Sequence, residues 1–193
     1  MQRIGMQRMG QRIWLILLCC SALLLVGCQL KPQAQGLQSS HWTAQHYQRQ
    51  DQVEVQWKDK SFSFLLYQQQ QGQQLSLVGL GLTGQPLFAL QFDGQQVKVQ
   101  QRIQQMRLLP FEFVVRDILF ATYPNFSQLG QQAVSIEHST NHQRVFIGGK
   151  SILQIQQQEK LIELDNLQVP YRMTLSPIEN TLNADQPEQA VQP

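Results

Sequence analysis

Few residues in this chain have a type and spacing that could do chemistry. His138 and His142 stand four apart in "HSTNH", a spacing that lets two imidazoles share a metal ion when it falls on a helix. The flanking runs alternate apolar and polar residues, so this stretch predicts a hairpin turn, and no metal site is expected. Gly79, Gly81 and Gly84 have the spacing G-x-G-x-x-G. That motif cradles a phosphate only where a strand opens into a helix, whereas here it lies between two alternating runs. No cofactor is expected. Arg116 and Asp117 could form a catalytic or cavity pair. An ion pair that is solvated, or that runs from helix to sheet, is the plainer expectation. His41 and His46 sit in or beside an aperiodic segment and are expected to be solvated. No serine occupies a nucleophile elbow. No catalytic residue emerges, and the chain does not read as an enzyme. The remaining residue of interest is Cys28, one of three cysteines.

Cys28 closes a tripartite segment. Arg3, Arg8 and Arg12 form a basic stretch without acids, and Ile13 to Val26 is an apolar run of about 14 residues. A membrane span needs roughly 20 apolar residues, while a secretory core needs about 7–15. The segment 1–27 therefore reads as a signal peptide. Leu25-Val26-Gly27-Cys28 resembles the bacterial lipobox. The resemblance implies cleavage before Cys28, lipidation of its sulfur and acylation of its new amino group, with palmitate as a typical chain. Several acyl chains anchor a protein stably where one binds only marginally. Gln29 follows, where Asp favours inner-membrane retention in such lipoproteins. The address implied is the periplasmic face of the outer membrane. Cys19 and Cys20 leave with the signal, so the mature chain has no cysteine free for a disulfide.

Without the three signal arginines the formal charge of +2 becomes −1. That leaves no basic surplus for nucleic acid. Residues 28–45, rich in Gln, Ser, Pro and Gly, read as the lipidated cysteine and a flexible tether. From Val53 the period is two: Val53, Val55 and Trp57; Phe62, Phe64 and Leu66; Leu75 and Leu77; then "LFALQF" at 87–92, turned by Asp93-Gly94 into Val97 and Val99. Asp-Gly between alternating runs is a strong hairpin signal. "QQQQGQQ" at 68–74 reads as a polar hairpin tip. At Pro110 the period changes. Phe111, Val114, Val115, Ile118 and Leu119 share one helical face, with Arg116 and Asp117 on the other side. After a loop or short helix at 125–132, five more alternating runs follow, from "AVSIEH" to "YRMTL". Residues 176–193 read as a mobile tail. The sum is an α+β chain, mainly β with helical cover: a curled antiparallel half-barrel at 46–175, closed by one or more helices.

Two stretches carry a further likeness: "LSLVGLGLTGQPLFALQFDG" at 75–94 and "LLPFEFVVRDILFATYP" at 108–124. They resemble the LolA/LolB family of lipoprotein carriers and receptors. A closer likeness is to outer-membrane lipoproteins encoded beside aryl-polyene pigment genes. The resemblance implies a half-barrel cavity for acyl chains. Phe64, Leu77, Phe88, Leu90, Phe111, Val115 and Leu119 would line it. It also implies a membrane-facing loop near Leu80 and Leu82. LolB has an apolar residue directly before the hairpin glycine; here Thr83 precedes Gly84, and Leu82 is the nearest substitute. The expectation is an outer-membrane lipoprotein, monomeric, that binds or transfers a hydrophobic ligand such as an acyl chain, a lipoprotein's lipid or a polyene lipid. The alternative is a non-transport envelope scaffold or assembly partner with a filled core.

Overall fold

A computed structural model describes residues 34–178. The expected signal 1–27, Cys28, Gln29 and residues 179–193 lie outside the described residues. Five strands come first: β1 Tyr47–Trp57, β2 Lys60–Gln71, β3 Gln74–Leu80, β4 Pro86–Phe92 and β5 Val97–Arg102. A short 3₁₀ turn, Gln104–Leu108, leads into helix α1, Phe111–Thr122. A second 3₁₀ turn, Phe126–Gln128, precedes β6 Val134–His138, β7 His142–Ile147, β8 Lys150–Gln158, β9 Leu161–Asn166 and β10 Tyr171–Pro177. The carbonyl of Pro110 accepts from the amides of Phe113 and Val114, so the proline opens α1 at a place where its missing N–H costs nothing.

All ten strands form one antiparallel sheet in the order β5-β4-β3-β2-β1-β10-β9-β8-β7-β6. Each half is a meander of sequence neighbours, and the β1–β10 pairing joins them. β5 and β6 are the two edges, so the sheet is not closed. It is nevertheless strongly curled. Ten residue steps of extended strand take β1 from Tyr47 to Trp57, about 33 Å. Yet Tyr47 bonds Thr122, while Tyr171, the partner of Trp57, bonds Asp117 five residues earlier on the same helix. Five helical residues span about 7.5 Å. Only a sheet wrapped around α1 brings both ends of β1 to it. Register shifts at Gly79/Leu80, Ala89/Leu90 and Val145/Phe146 supply local bends.

Three expectations need correction. Residues 34–42, expected to belong to the flexible tether, are held in the fold. Ala34, Leu37, Ser39 and Trp42 are buried, the amide of Ser39 donates to the carbonyl of Gly94, and that of His41 donates to Leu129. Trp42 stacks on Tyr123 and meets Phe92 edge-on, with centroids 4.9 and 5.0 Å apart. Burying that much ring surface outweighs the entropy of a loose chain. Residues 176–178, expected to open a mobile tail, are ordered on the sheet instead: β10 runs to Pro177 and the amide of Ile178 donates to the carbonyl of Gln50. The glutamine run is only partly a tip. Gln68–Gln71 belong to β2, and Gln68 and Gln70 are buried on its inner face.

Candidate functional site

The inner face of the sheet holds the apolar side chains predicted by the alternation. Phe64, Leu77, Phe88, Leu90, Phe111, Val115 and Leu119 all fall in one core cluster, none more than 5% exposed. Phe88 ties the set together, lying edge-on to Phe64 at 5.2 Å and tilted against Phe111 at 5.1 Å. Gly79 makes room for it: a Cβ there would sit 2.3 Å from the Phe88 ring. Leu80 ends β3 and is half-buried, whereas Leu82 stands 61% exposed in the β3–β4 turn. Gly84 closes that turn at φ +88°, a conformation that suits glycine.

Arg116 and Asp117 are not solvated. Both side chains are fully buried, with Arg116 Nε donating to Asp117 Oδ1 at 2.8 Å. The pair runs from helix to sheet. Asp117 Oδ2 accepts from Tyr171 on β10 and from Asn166 on β9. Arg116 Nη1 donates to Gln168 Oε1 at 2.7 Å and to the carbonyl of Gln35 at 3.1 Å. Arg116 also lies 5.1 Å over the Phe113 ring. Its Nη2 is buried without a partner among the described residues. Burial raises the Asp117 pKa, against the pull of Arg116 and the hydrogen bonds. Burial, then the adjacent Asp117, raises that of Tyr171 far above the ordinary phenol. Such a network orients the helix on the sheet. It offers no exposed acid or base to a substrate. Sequence reasoning missed Asn166, Gln168 and Tyr171, because they lie at the facing ends of β9 and β10 and in the turn between them, some 50 residues downstream.

A second polar cluster joins the other end of α1 to β1 and β2. Tyr47 donates to Thr122 at 3.1 Å, Tyr123 donates to Gln70, and Gln70 Nε2 donates to the carbonyls of Thr43 and Gly72, each at 2.9 Å. Arg49 clamps the buried Asp51 at 2.7 and 2.8 Å. Burial pushes the Tyr47 pKa up to about 12. These contacts explain why polar residues interrupt the inner face.

Open space lies on the outer face. A groove of about 700 Å³ crosses the sheet from β2 to β6. Strand pairing builds its walls as two rows. Ser61, Gln56, Arg172, Asp165, Gln154, Arg144 and Glu137 are successive partners in one row; Ser63, Glu54, Thr174, Glu163, Gln156 and His142 form the other. Between the rows lie Val55, Met173, Leu164 and Ile155, whose side chains are buried on the opposite face. The groove is thus lined by amides, hydroxyls and charges of both signs, with apolar surface, Phe62 included, exposed in about equal measure between them. Arg172 and Asp165 approach only to 3.8 Å and are largely exposed, a pair of little energetic weight. His138 and His142 flank the β6–β7 turn, as the alternation predicts, and both border this groove.

No helix among the described residues is long and apolar enough to cross a membrane. No curated protein matches the chain. A family described only as a protein of unknown function, DUF3261, matches residues 48–179, from the second residue of β1 to just past β10, and the chain belongs to that family.

Proposed function

We propose that this chain is a lipid-anchored envelope protein with a LolB-like curled sheet and a filled interior. It works by docking a partner and not by carrying an acyl chain or catalysing a reaction. One observation supports this over the carrier reading. The seven side chains that would line an acyl cavity are enclosed by one another, none more than 5% exposed. The open groove of about 700 Å³ is on the other face and exposes polar and apolar surface in about equal measure. An acyl chain gains about 0.8 kcal/mol per buried methylene from an apolar wall, and an open groove in which Gln, Ser, Glu and Arg break up the apolar surface offers no continuous one. An extended polar segment finds donors and acceptors there at every strand. The anchor, Cys28, and the outer-membrane address implied by Gln29 belong to the same proposal.

Val115→Phe and Leu119→Phe test it. In a close-packed interior the added volume costs roughly 1–3 kcal/mol, and no fluorescent fatty acid binds to wild type or variant. Stoichiometric fatty-acid binding by the wild type, lost in variants of unchanged stability, would reinstate the carrier.

A further inference from the structure

The first described residues enter the fold at one end of the sheet. The amide of Ala34 donates to Glu112 Oε2 in the first turn of α1, and the chain then runs to Trp42 at the opposite end. The entry end carries the turns β1–β2, β3–β4 and β9–β10 and the 3₁₀ turn before α1. It also carries the three most exposed large apolar side chains of the described residues: Leu82 at 61%, Leu108 at 55% and Leu167 at 47%. Leu108 borders a cleft of about 210 Å³ whose other walls are Trp57, Phe62, Lys58, Asp59 and Lys60. Arg107 is exposed beside it. Lys58, Lys60 and Arg107 outnumber Asp59 here, and leucines beside such a cationic excess complement an anionic lipid surface, apolar tips toward the acyl boundary and cationic groups toward phosphate.

We infer that this end of the domain, Leu82, Leu108 and Leu167 with Lys58, Lys60 and Arg107, rests on an anionic phospholipid surface. The inference rests on the anchored-lipoprotein reading and sharpens it. Because Ala34 is already fixed to the fold, only five residues separate it from Cys28. The six residue steps between the two reach at most about 20 Å. With Cys28 lipidated, the entry end is held within that distance of the bilayer, where the cations feel its surface charge over about one Debye length of roughly 8–10 Å. The groove on the outer sheet face stays free for a partner.

The test uses the full processed chain reconstituted in phosphatidylcholine vesicles, with or without phosphatidylglycerol. Leu108→Cys, Leu167→Cys and Glu159→Cys variants carry an environment-sensitive dye, and the bilayer carries a nitroxide lipid quencher. Glu159 lies in the β8–β9 turn at the far end. Dyes at 108 and 167 should lose emission and shift to the blue, more so with phosphatidylglycerol, while the dye at 159 does neither. Lys58→Glu with Lys60→Glu should remove the dependence on phosphatidylglycerol. Intact mass reports the anchor separately. A mass without lipid on Cys28 overturns the anchored reading and this inference together. A lipidated chain whose three dyes respond alike, or not at all, overturns the inference and leaves the anchor standing.

Discussion

Replacing Arg116 by Met should be among the costliest single changes in this fold. The substitution keeps an unbranched apolar stem and deletes the guanidinium. Asp117 then keeps its bonds from Tyr171 and Asn166 but loses the cation 2.8 Å away, in a site with no exposed surface. Breaking a buried pair by removing one partner costs about 3–5 kcal/mol, most of it the uncompensated charge left behind. Gln168 and the carbonyl of Gln35 lose their donor as well. In a domain of this size that corresponds to a melting temperature lower by roughly 10 °C. Asp117→Asn strands the guanidinium instead and should cost a similar amount. The double variant Arg116→Met, Asp117→Asn strands neither, so its cost should fall short of the summed single costs by about 2 kcal/mol or more. Urea unfolding, with unchanged m-values as the check on two-state behaviour, measures all three. Additivity within about 0.5 kcal/mol would refute the reasoning, because it would mean that the two charges do not depend on each other.

Three further outcomes are expected. A domain starting after Trp42 should be less stable than one starting at Ala34 by about 3 kcal/mol or more, given the core surface that Leu37 and Trp42 fill; equal urea midpoints would restore the tether reading. Asp117 holds its proton more tightly folded than unfolded, so between the ordinary carboxylate pKa and its raised value the folded state binds more protons, and this contribution to stability falls as pH rises. Asp117→Asn should remove that falling component from a pH series of urea melts, and an unchanged profile would contradict the burial of the charge. Cys28→Ser should abolish palmitate incorporation and leave the precursor uncleaved; labelling that persists would end the lipoprotein reading.

The strand pattern was legible because one face of each strand from β1 to β4 and from β7 to β10 packs and the other does not; the edge strands β5 and β6 bury neither face. Val53, Val55, Phe64 and Leu66 announce that face directly, and Asp93-Gly94 and Pro110 mark where the chain turns and where the period changes. Two features were not legible, for a shared reason. The segment 34–42 has no period of its own; Trp42 anchors it on Phe92 of β4 and on Tyr123 just past α1, and Gly36 lies against Ile147 of β7. That same segment covers Arg116 and so buries a pair that a helical wheel places on the solvent side. Burial supplied from 80 residues away leaves no local signature. The buried Gln68 and Gln70 were hidden similarly, since their partners Tyr47 and Tyr123 lie across the sheet and on the helix end. The outer groove was implicit in the alternation, but only the pairing register aligns its polar rows.

The central claim is that the interior is filled and that the protein docks partners without carrying lipid inside. Titration of the wild-type protein with a fluorescent fatty acid, alongside Leu119→Phe, tests it most directly. The account predicts no saturable binding by either protein and a variant destabilised by roughly 1–3 kcal/mol, because Leu119 has no space beside it. Saturable one-to-one binding by the wild type, abolished in a Leu119→Phe variant that melts at the same temperature, would contradict it.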